Sequence, residues 1–364
     1  MLEENRLNHS QDSNRDADES RSRSFWEKLV SLNIGCLGRR HFMKSVAGLS
    51  AGFVIGSSSS QAAKGRSTVG KSITPSTQAL PMIDMHAHAF PANGEKDYYG
   101  NPAPRSAEEL FQKTYEQFRK WNVVKAVASG SLEHVELWKS KDVDNRIIPG
   151  IFMESPDLDH APREKGGIEL HRFHELVKSG KIQVFGEIGA IYGGTTLNDP
   201  GWQPYLTICA LYDIPVNVHT GDMGPNIHSI APKARLRLGD PYHIEEVLLR
   251  YPKLRVYLAH AGIEDHDHTL SLMKVHPNLY TDVSCLLWIN PMCKRIGREF
   301  LAKAKEDELL DRVMFGSDQI LWPHGIEMSI EYLDSLKFLS DRDKRDILYN
   351  NAARFLRLDE GSQD

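Results

Sequence analysis

From Pro81 onward the apolar residues of this chain gather into eight short runs, separated by longer stretches where they recur every three or four positions. The runs are MIDMH (82–86), VVKAVA (123–128), IIPGIF (147–152), IQVFGE (182–187), IPVNVH (214–219), LRVYLAH (254–260), LYTDVS (279–284) and RVMFGSD (312–318). Near-continuous apolar runs of this length suit strands buried on both faces, the condition of a parallel sheet covered by helices. Helical spacing predicts covering elements such as 106–121, 167–179, 240–251 and 291–305, with a last helix over 341–358. Repeated strand-then-helix units of this number and length predict an α/β chain folded as a (β/α)8 TIM barrel. An open doubly wound sheet would need a glycine-rich phosphate loop after the first strand, and MIDMHAHAF supplies none.

The first eighty residues have a different texture. Residues 1–24 mix charges of both signs with serine and asparagine, and bury too little surface to offset their ordering entropy, so they read as disordered. Arg39 and Arg40 then stand ahead of Phe42 and Lys44, followed by a Gly- and Ala-rich stretch at 45–56. That stretch is far short of the roughly 20 apolar residues a transmembrane helix needs, so no anchor is expected. With small residues at Ser60 to Ala62, the pattern resembles a bacterial twin-arginine export signal, although the region ahead of the arginines is long. The resemblance implies the twin-arginine export machinery as a partner, a periplasmic destination and removal of the leader; an N-terminal amphipathic helix is the other reading. The expected organisation is leader and signal over 1–63, a linker over 64–80, the barrel over 81–358 and a tail over 359–364.

Charge and cysteine content narrow the field further. The formal net charge is −5 and no basic run appears, which excludes the electrostatic footprint of a nucleic-acid binder. Cys36, Cys209, Cys285 and Cys293 form no C-x-x-C pair and read as small buried residues rather than a disulfide framework.

A barrel opens all its strand C-termini onto one mouth, where catalytic residues collect. The first run leads into His86 and His88; the fourth ends at Glu187, the fifth at His219, the sixth at His260 and the eighth at Asp318. Taken singly, a histidine ending an apolar run is a hydrogen-bonded core residue and an aspartate after a strand is a helix cap. Together, six nitrogen and oxygen donors converge on one place.

The set IDMHAH, GEIG, IPVNVHTGD, LAHAG and FGSD resembles the amidohydrolase superfamily over residues 81–358, and ILYNNAARFLRL resembles the closing helix of its branch of hydrolases and decarboxylases. The resemblance implies that His86, His88 and Asp318 hold one divalent metal. It implies that His219 and His260 hold a second, or assist the substrate. Where many two-metal members carry a bridging carbamylated lysine, this chain has Glu187, as in the metal-dependent deoxyribonuclease branch. The expectation is therefore a hydrolase with two divalent ions, zinc foremost and manganese or iron(II) as alternatives. A metal-bound hydroxide would attack an ester, amide, lactone or phosphoester, with Asp318 as proton acceptor and His260 assisting. The rival is a single-metal decarboxylase of a small aromatic or keto acid; an exported binding protein and a nuclease stand further off. Asp222, Asn226 and His228 after the fifth run, with Trp288 and Trp322 after the seventh and eighth, are candidate contacts for a small-molecule substrate. EDHDH, with His266 and His268, reads rather as the start of a solvated helix capped by Asp265. A homo-oligomer remains open.

Overall fold

The computed structural model describes residues 80–156, 168–224 and 226–358. The leader, export signal and linker expected before residue 80, and the tail at 359–364, lie outside these residues. Eight parallel strands run in sequence order around one sheet, each paired with the next. They are β1 (Met82–Ala89), β2 (Val123–Gly130), β3 (Ile147–Met153), β4 (Val184–Ile188), β5 (Val216–His219), β6 (Val256–Ala259), β7 (Leu279–Asp282) and β8 (Val313–Met314). The seam between β8 and β1 is held by Met85 N donating to Phe315 O at 2.9 Å and Asp318 N donating to His86 O at 2.7 Å. The fold is the expected TIM barrel.

The covering helices are α1 (Ala107–Lys120), α2 (Leu132–Ser140), α3 (Leu170–Lys178), α4 (Gln203–Leu211), α5 (Glu245–Arg250), α6 (His266–Val275), α7 (Pro291–Glu306) and α8 (His324–Ser335). α1 shows why they form where they do. Ser106 caps its start by accepting from Glu109 N, and Leu110, Phe111, Thr114, Tyr115 and Phe118 make a buried stripe at helical spacing. α5 is shorter than the expected 240–251 because Asp240 accepts from Tyr242 N and opens a 3-10 turn, Pro241–Ile244, before the α-helix begins. None of the described helices is long and apolar enough to cross a membrane.

The eighth run, RVMFGSD, yields only two strand residues. Past Met314 the backbone leaves the ladder, because Phe315 N donates to Ile347 O and Ser317 N to the buried Asp84 carboxylate. Its partner there is the closing segment, α9 (Asp341–Arg345), a π-turn (Asp346–Asn350) and α10 (Asn351–Leu356). Ala352, Ala353 and Phe355 of α10 pack on Ile83, Ile148, Val184 and Tyr257, residues near the strand starts. The barrel floor is thus plugged with apolar side chains, and polar chemistry is left to the other end.

Candidate metal centre

Each donor reaches the mouth because its strand stops there. β1 delivers His86 and His88, two positions apart and therefore on one side of the strand. β4 delivers Glu187. Its neighbour Gly186 has φ +143°, and a Cβ there would land on the Asn217 backbone oxygen of β5, so glycine permits the close approach that seats the carboxylate. Gly316 plays the same part at the seam, where a Cβ would press on the Cβ of His86 at 2.8 Å. His219 ends β5. His260 and Asp318 follow β6 and β8 with left-handed backbone, φ +63° and +46°. Such conformations cost on the order of 1–2 kcal/mol in residues other than glycine. They are pinned by His260 N donating to Asp282 Oδ1 at 3.0 Å and Asp318 N to His86 O.

All six side chains are buried, none more than 9% exposed. Glu187 lies between two groups. Its Oε2 is 3.5 Å from both His86 Nε2 and His88 Nε2, while Oε1 is 2.8 Å from His219 Nδ1 and 3.1 Å from His260 Nε2. His88 Nε2 also lies 3.0 Å from Asp318 Oδ1, and His260 Nδ1 lies 3.9 Å from Asp318 Oδ2. Within each of the sets His86–His88–Glu187 and Glu187–His219–His260, the donor atoms all lie within 4.8 Å of one another.

Two observations test this set against a cation. His86 Nδ1 lies 3.1 Å from Asp282 Oδ2; a carboxylate can only accept, so Nδ1 carries a proton and Nε2 is the ring nitrogen turned to the other donors, able to offer a lone pair to a cation once it is deprotonated. That nitrogen is 3.1 Å from His88 Nε2, and Asp318 Oδ1, although close to His88, is buried without a hydrogen-bond partner. Lone pairs converging in a dry place are costly unless something positive lies among them. The electrostatics agree. Burial works against the charge of His86 and His260, yet Asp282 and Glu187 hold His86 well above the usual imidazole range, and Glu187 and Asp318 hold His260 raised. Burial likewise pushes the carboxyls up, but the His86 charge and bonds from His219 and His260 hold Glu187 well below its ordinary value. His88 and its neighbours lower Asp318 in the same way. The cluster favours positive charge and has donors that could bind a divalent metal.

Asp282, at the end of β7, is a site residue absent from the sequence expectations. It is fully buried, holds His86 Nδ1 through Oδ2, and through Oδ1 accepts from His260 N and Ser284 N at 3.0 Å each. Ser284 Oγ adds contacts to His86 Nδ1 at 3.1 Å and His260 Nδ1 at 2.9 Å. Asp84 is equally buried and accepts from His86 N at 3.0 Å and Ser317 N at 2.9 Å, tying β1 to the seam. Asp282 lies inside the run LYTDVS, two residues before its end, and only the structure shows that the strand itself stops there.

In front of the donors is a cavity of about 190 Å³ whose wall includes His219, His260 and Asp318. Of the candidate substrate contacts, Asp222 lines it. Burial and the neighbouring Glu264 carboxyl push Asp222 up to about 6. The other four candidates are not among the lining residues. Asn226 is exposed and takes a left-handed conformation ahead of the turn Ile227–Ser229, and His228, also exposed, faces Ala234 O at 3.0 Å. Trp288 and Trp322 are fully buried, donating to Ser317 O at 2.8 Å and Glu95 O at 3.1 Å, so they brace the loops from behind. Tyr98, Tyr192, Met223 and Ile263 take the wall instead. Asp265 precedes α6 without a side-chain cap bond; His266 is buried against Ile263 O at 2.9 Å, and His268 faces Asp240 at 2.9 Å.

The amidohydrolase family model, of the type Amidohydro_2, matches residues 83–358. Among solved structures, an uncharacterised TIM-barrel protein from Bordetella bronchiseptica aligns at 20% identity with a TM-score of 0.56, covering 76% of this chain and 99% of that one. A probable 2-pyrone-4,6-dicarboxylic acid hydrolase from Acinetobacter baumannii, with citric acid bound, aligns at 18% identity and a TM-score of 0.50, covering 76% of this chain and 100% of the other. At these identities the likeness is one of fold. No curated protein sequence matches the chain significantly.

Proposed function

Since the chain belongs to the amidohydrolase family, we propose that it is a metal-dependent hydrolase of an ester, amide, lactone or phosphoester, built for two divalent cations. The observation that carries this reading is Glu187, whose two oxygens face two separate histidine pairs. His86, His88 and Asp318 would hold one cation, His219 and His260 the other, with Glu187 shared. Zinc suits imidazole and carboxylate donors best, and manganese or iron(II) are the alternatives. A bound pair supplies Lewis acidity and a lowered pKa for water.

The chain's own groups do the rest. Asp318 reaches both the donor cluster and the cavity, and its Oδ1 has no hydrogen bond. It accepts a proton from the attacking water and passes it to the leaving group, a role its depressed pKa suits only while a proton is in transit. His260, on the same wall, orients the substrate's carbonyl or phosphoryl oxygen. Asp282 fixes the ring orientation of His86, and Ile263, Ile289 and Ile320 keep bulk water from the reacting atoms.

Elemental analysis of the fully loaded chain, followed by ester, lactone, amide and phosphoester panels, tests the proposal. Two equivalents in the native chain and about one in Glu187→Ala are expected. One equivalent in the native chain, with carbon dioxide released from an aromatic or keto acid, would replace the hydrolase by a lyase.

A further inference from the structure

Cys285 is buried, as a cysteine in an apolar stretch should be, yet it lines the cavity together with His260 and Asp318. Its sulfur, a ring nitrogen of His260 and a carboxylate oxygen of Asp318 all lie within 4.8 Å of one another. Among the described residues, no other group of donors that converges in this way contains sulfur. The chain holds the three in place from both sides. Cys285 has left-handed backbone, φ +55°, and its carbonyl accepts from Trp288 N at 3.3 Å and Ile289 N at 3.2 Å, which closes the turn after β7. The Trp288 indole then donates to Ser317 O, so the turn that carries the thiol is tied to the residue before Asp318. Asp318 is only 5% exposed, and its Oδ1 is buried without a hydrogen-bond partner. A buried carboxylate oxygen left in that state at a cavity wall calls for a positive group. The other oxygen, Oδ2, stands 3.9 Å from His260 Nδ1.

We propose that Cys285, His260 and Asp318 form a further cation seat, on the cavity side of the candidate metal centre, that takes thiophilic divalent ions such as cadmium or surplus zinc. Tetrahedral bonding to sulfur at about 2.3 Å and to nitrogen or oxygen at about 2.0–2.1 Å asks for donors roughly 3.3–3.6 Å apart, so side-chain rotation by about an ångström closes the set. The thiol proton leaves to solvent as the ion binds. Sulfur gives the seat its selectivity: imidazole and carboxylate also accept manganese or iron(II), whereas a thiolate favours zinc and softer ions. The seat shares His260 and Asp318 with the centre beneath it. Its effect on the reaction rests on the hydrolase reading above: a filled seat engages the carboxylate that receives the proton of the attacking water, and turnover stops.

The test titrates cadmium into the zinc-loaded chain and follows the ultraviolet sulfur-to-cadmium charge-transfer band, with circular dichroism to show that each variant is folded. The band should saturate at one sulfur per chain. Cys285→Ser should abolish it, Cys209→Ser and Cys293→Ser should leave it, and Asp318→Asn should raise the cadmium concentration needed for half of it. No band in the native chain, a band that survives in Cys285→Ser, one lost in Cys293→Ser, or one indifferent to Asp318→Asn overturns the seat. Should Cys285→Ser fail to fold, Cys285→Ala takes its place and is read in the same way. Where the zinc-loaded chain turns over an ester, cadmium should inhibit in step with the band, and Cys285→Ser should keep its own activity at cadmium concentrations that silence the native chain. Full turnover under a saturated band overturns the inhibitory role. Turnover of no ester, lactone, amide or phosphoester counts against the hydrolase reading instead, and the band alone then decides whether the seat exists.

Discussion

Asp282→Asn isolates one contact at the base of the candidate metal centre. In the native chain the Oδ1 of Asp282 serves the backbone N–H groups of His260 and Ser284 and the Ser284 hydroxyl, while among the described residues Oδ2 faces only His86 Nδ1 at 3.1 Å. Asparagine keeps the shape and, with its oxygen in the Oδ1 place, keeps the two backbone bonds. Its amide nitrogen then meets His86 Nδ1–H donor to donor. The imidazole escapes by moving its proton to Nε2, which removes the lone pair aimed at His88 and Glu187. A charge-assisted hydrogen bond of this kind is worth about 1.5–3 kcal/mol, and loss of a carboxylate behind a ligating histidine typically costs about 10–100-fold in metal affinity. Ser284 Oγ stands 3.1 Å from the same nitrogen and can accept its proton, so the expected loss lies nearer ten than a hundred. Competition for zinc against a chromophoric chelator measures it, with circular dichroism to show an intact barrel. Asp282→Ala should behave differently, because it orphans two buried N–H groups at roughly 1–3 kcal/mol each and lowers the melting temperature of the chelated chain as well. An asparagine variant that binds zinc as tightly as the native chain would refute the tautomer argument.

Asp318→Asn should keep its circular dichroism and most of its metal, yet lose at least about a hundredfold in turnover, the low end for a missing general base; near-normal turnover would move the proton to another group. The chelated chain should lose stability as pH rises. His86 and His260 have folded-state pKa values above the unfolded one, so their contribution is complete below about 6.5 and fades as pH climbs through the raised values. Melting curves of chelated and loaded protein between about pH 6 and 9 check this, and the loaded chain should not share the decline, since a bound cation takes over the proton's place. Export is a proposal drawn from Arg39 and Arg40 alone: Arg39→Lys with Arg40→Lys should retain the protein in the cytoplasm, and fractionation showing normal export would end it.

The barrel was legible because buried parallel strands write themselves as apolar runs, and all eight runs became strands. The donors were legible for a related reason: a polar residue that ends such a run has nowhere to go but the mouth. Two kinds of residue escaped. Asp282 and Asp84 sit inside apolar runs, where a buried carboxylate contradicts composition unless its hydrogen-bond partners are known, and those partners come from other strands. The wall of the cavity was hidden for the opposite reason. Loop residues are positioned by contacts distant in sequence, so Trp288 and Trp322, large and near the right strand ends, turned inward to satisfy their indole N–H groups on backbone carbonyls. Tyr192, in the turn after β4, carries no sequence mark that separates it from packing.

The seam of the barrel ties synthesis of the chain to completion of its candidate metal centre. His86 and His88 come from the first strand and Asp318 from just past the last, and the hydrogen bonds that join them, Asp318 N to His86 O and Ser317 N to Asp84, are also those that shut the ring. A ribosome-bound chain, or one truncated before β8, therefore lacks Asp318 and cannot complete the set proposed around His86 and His88. Docking of the last strand against the first would then be the step that completes the proposed His86–His88–Asp318 set. Prematurely terminated products would lack Asp318 and that tether, and would be the fraction that proteases find open.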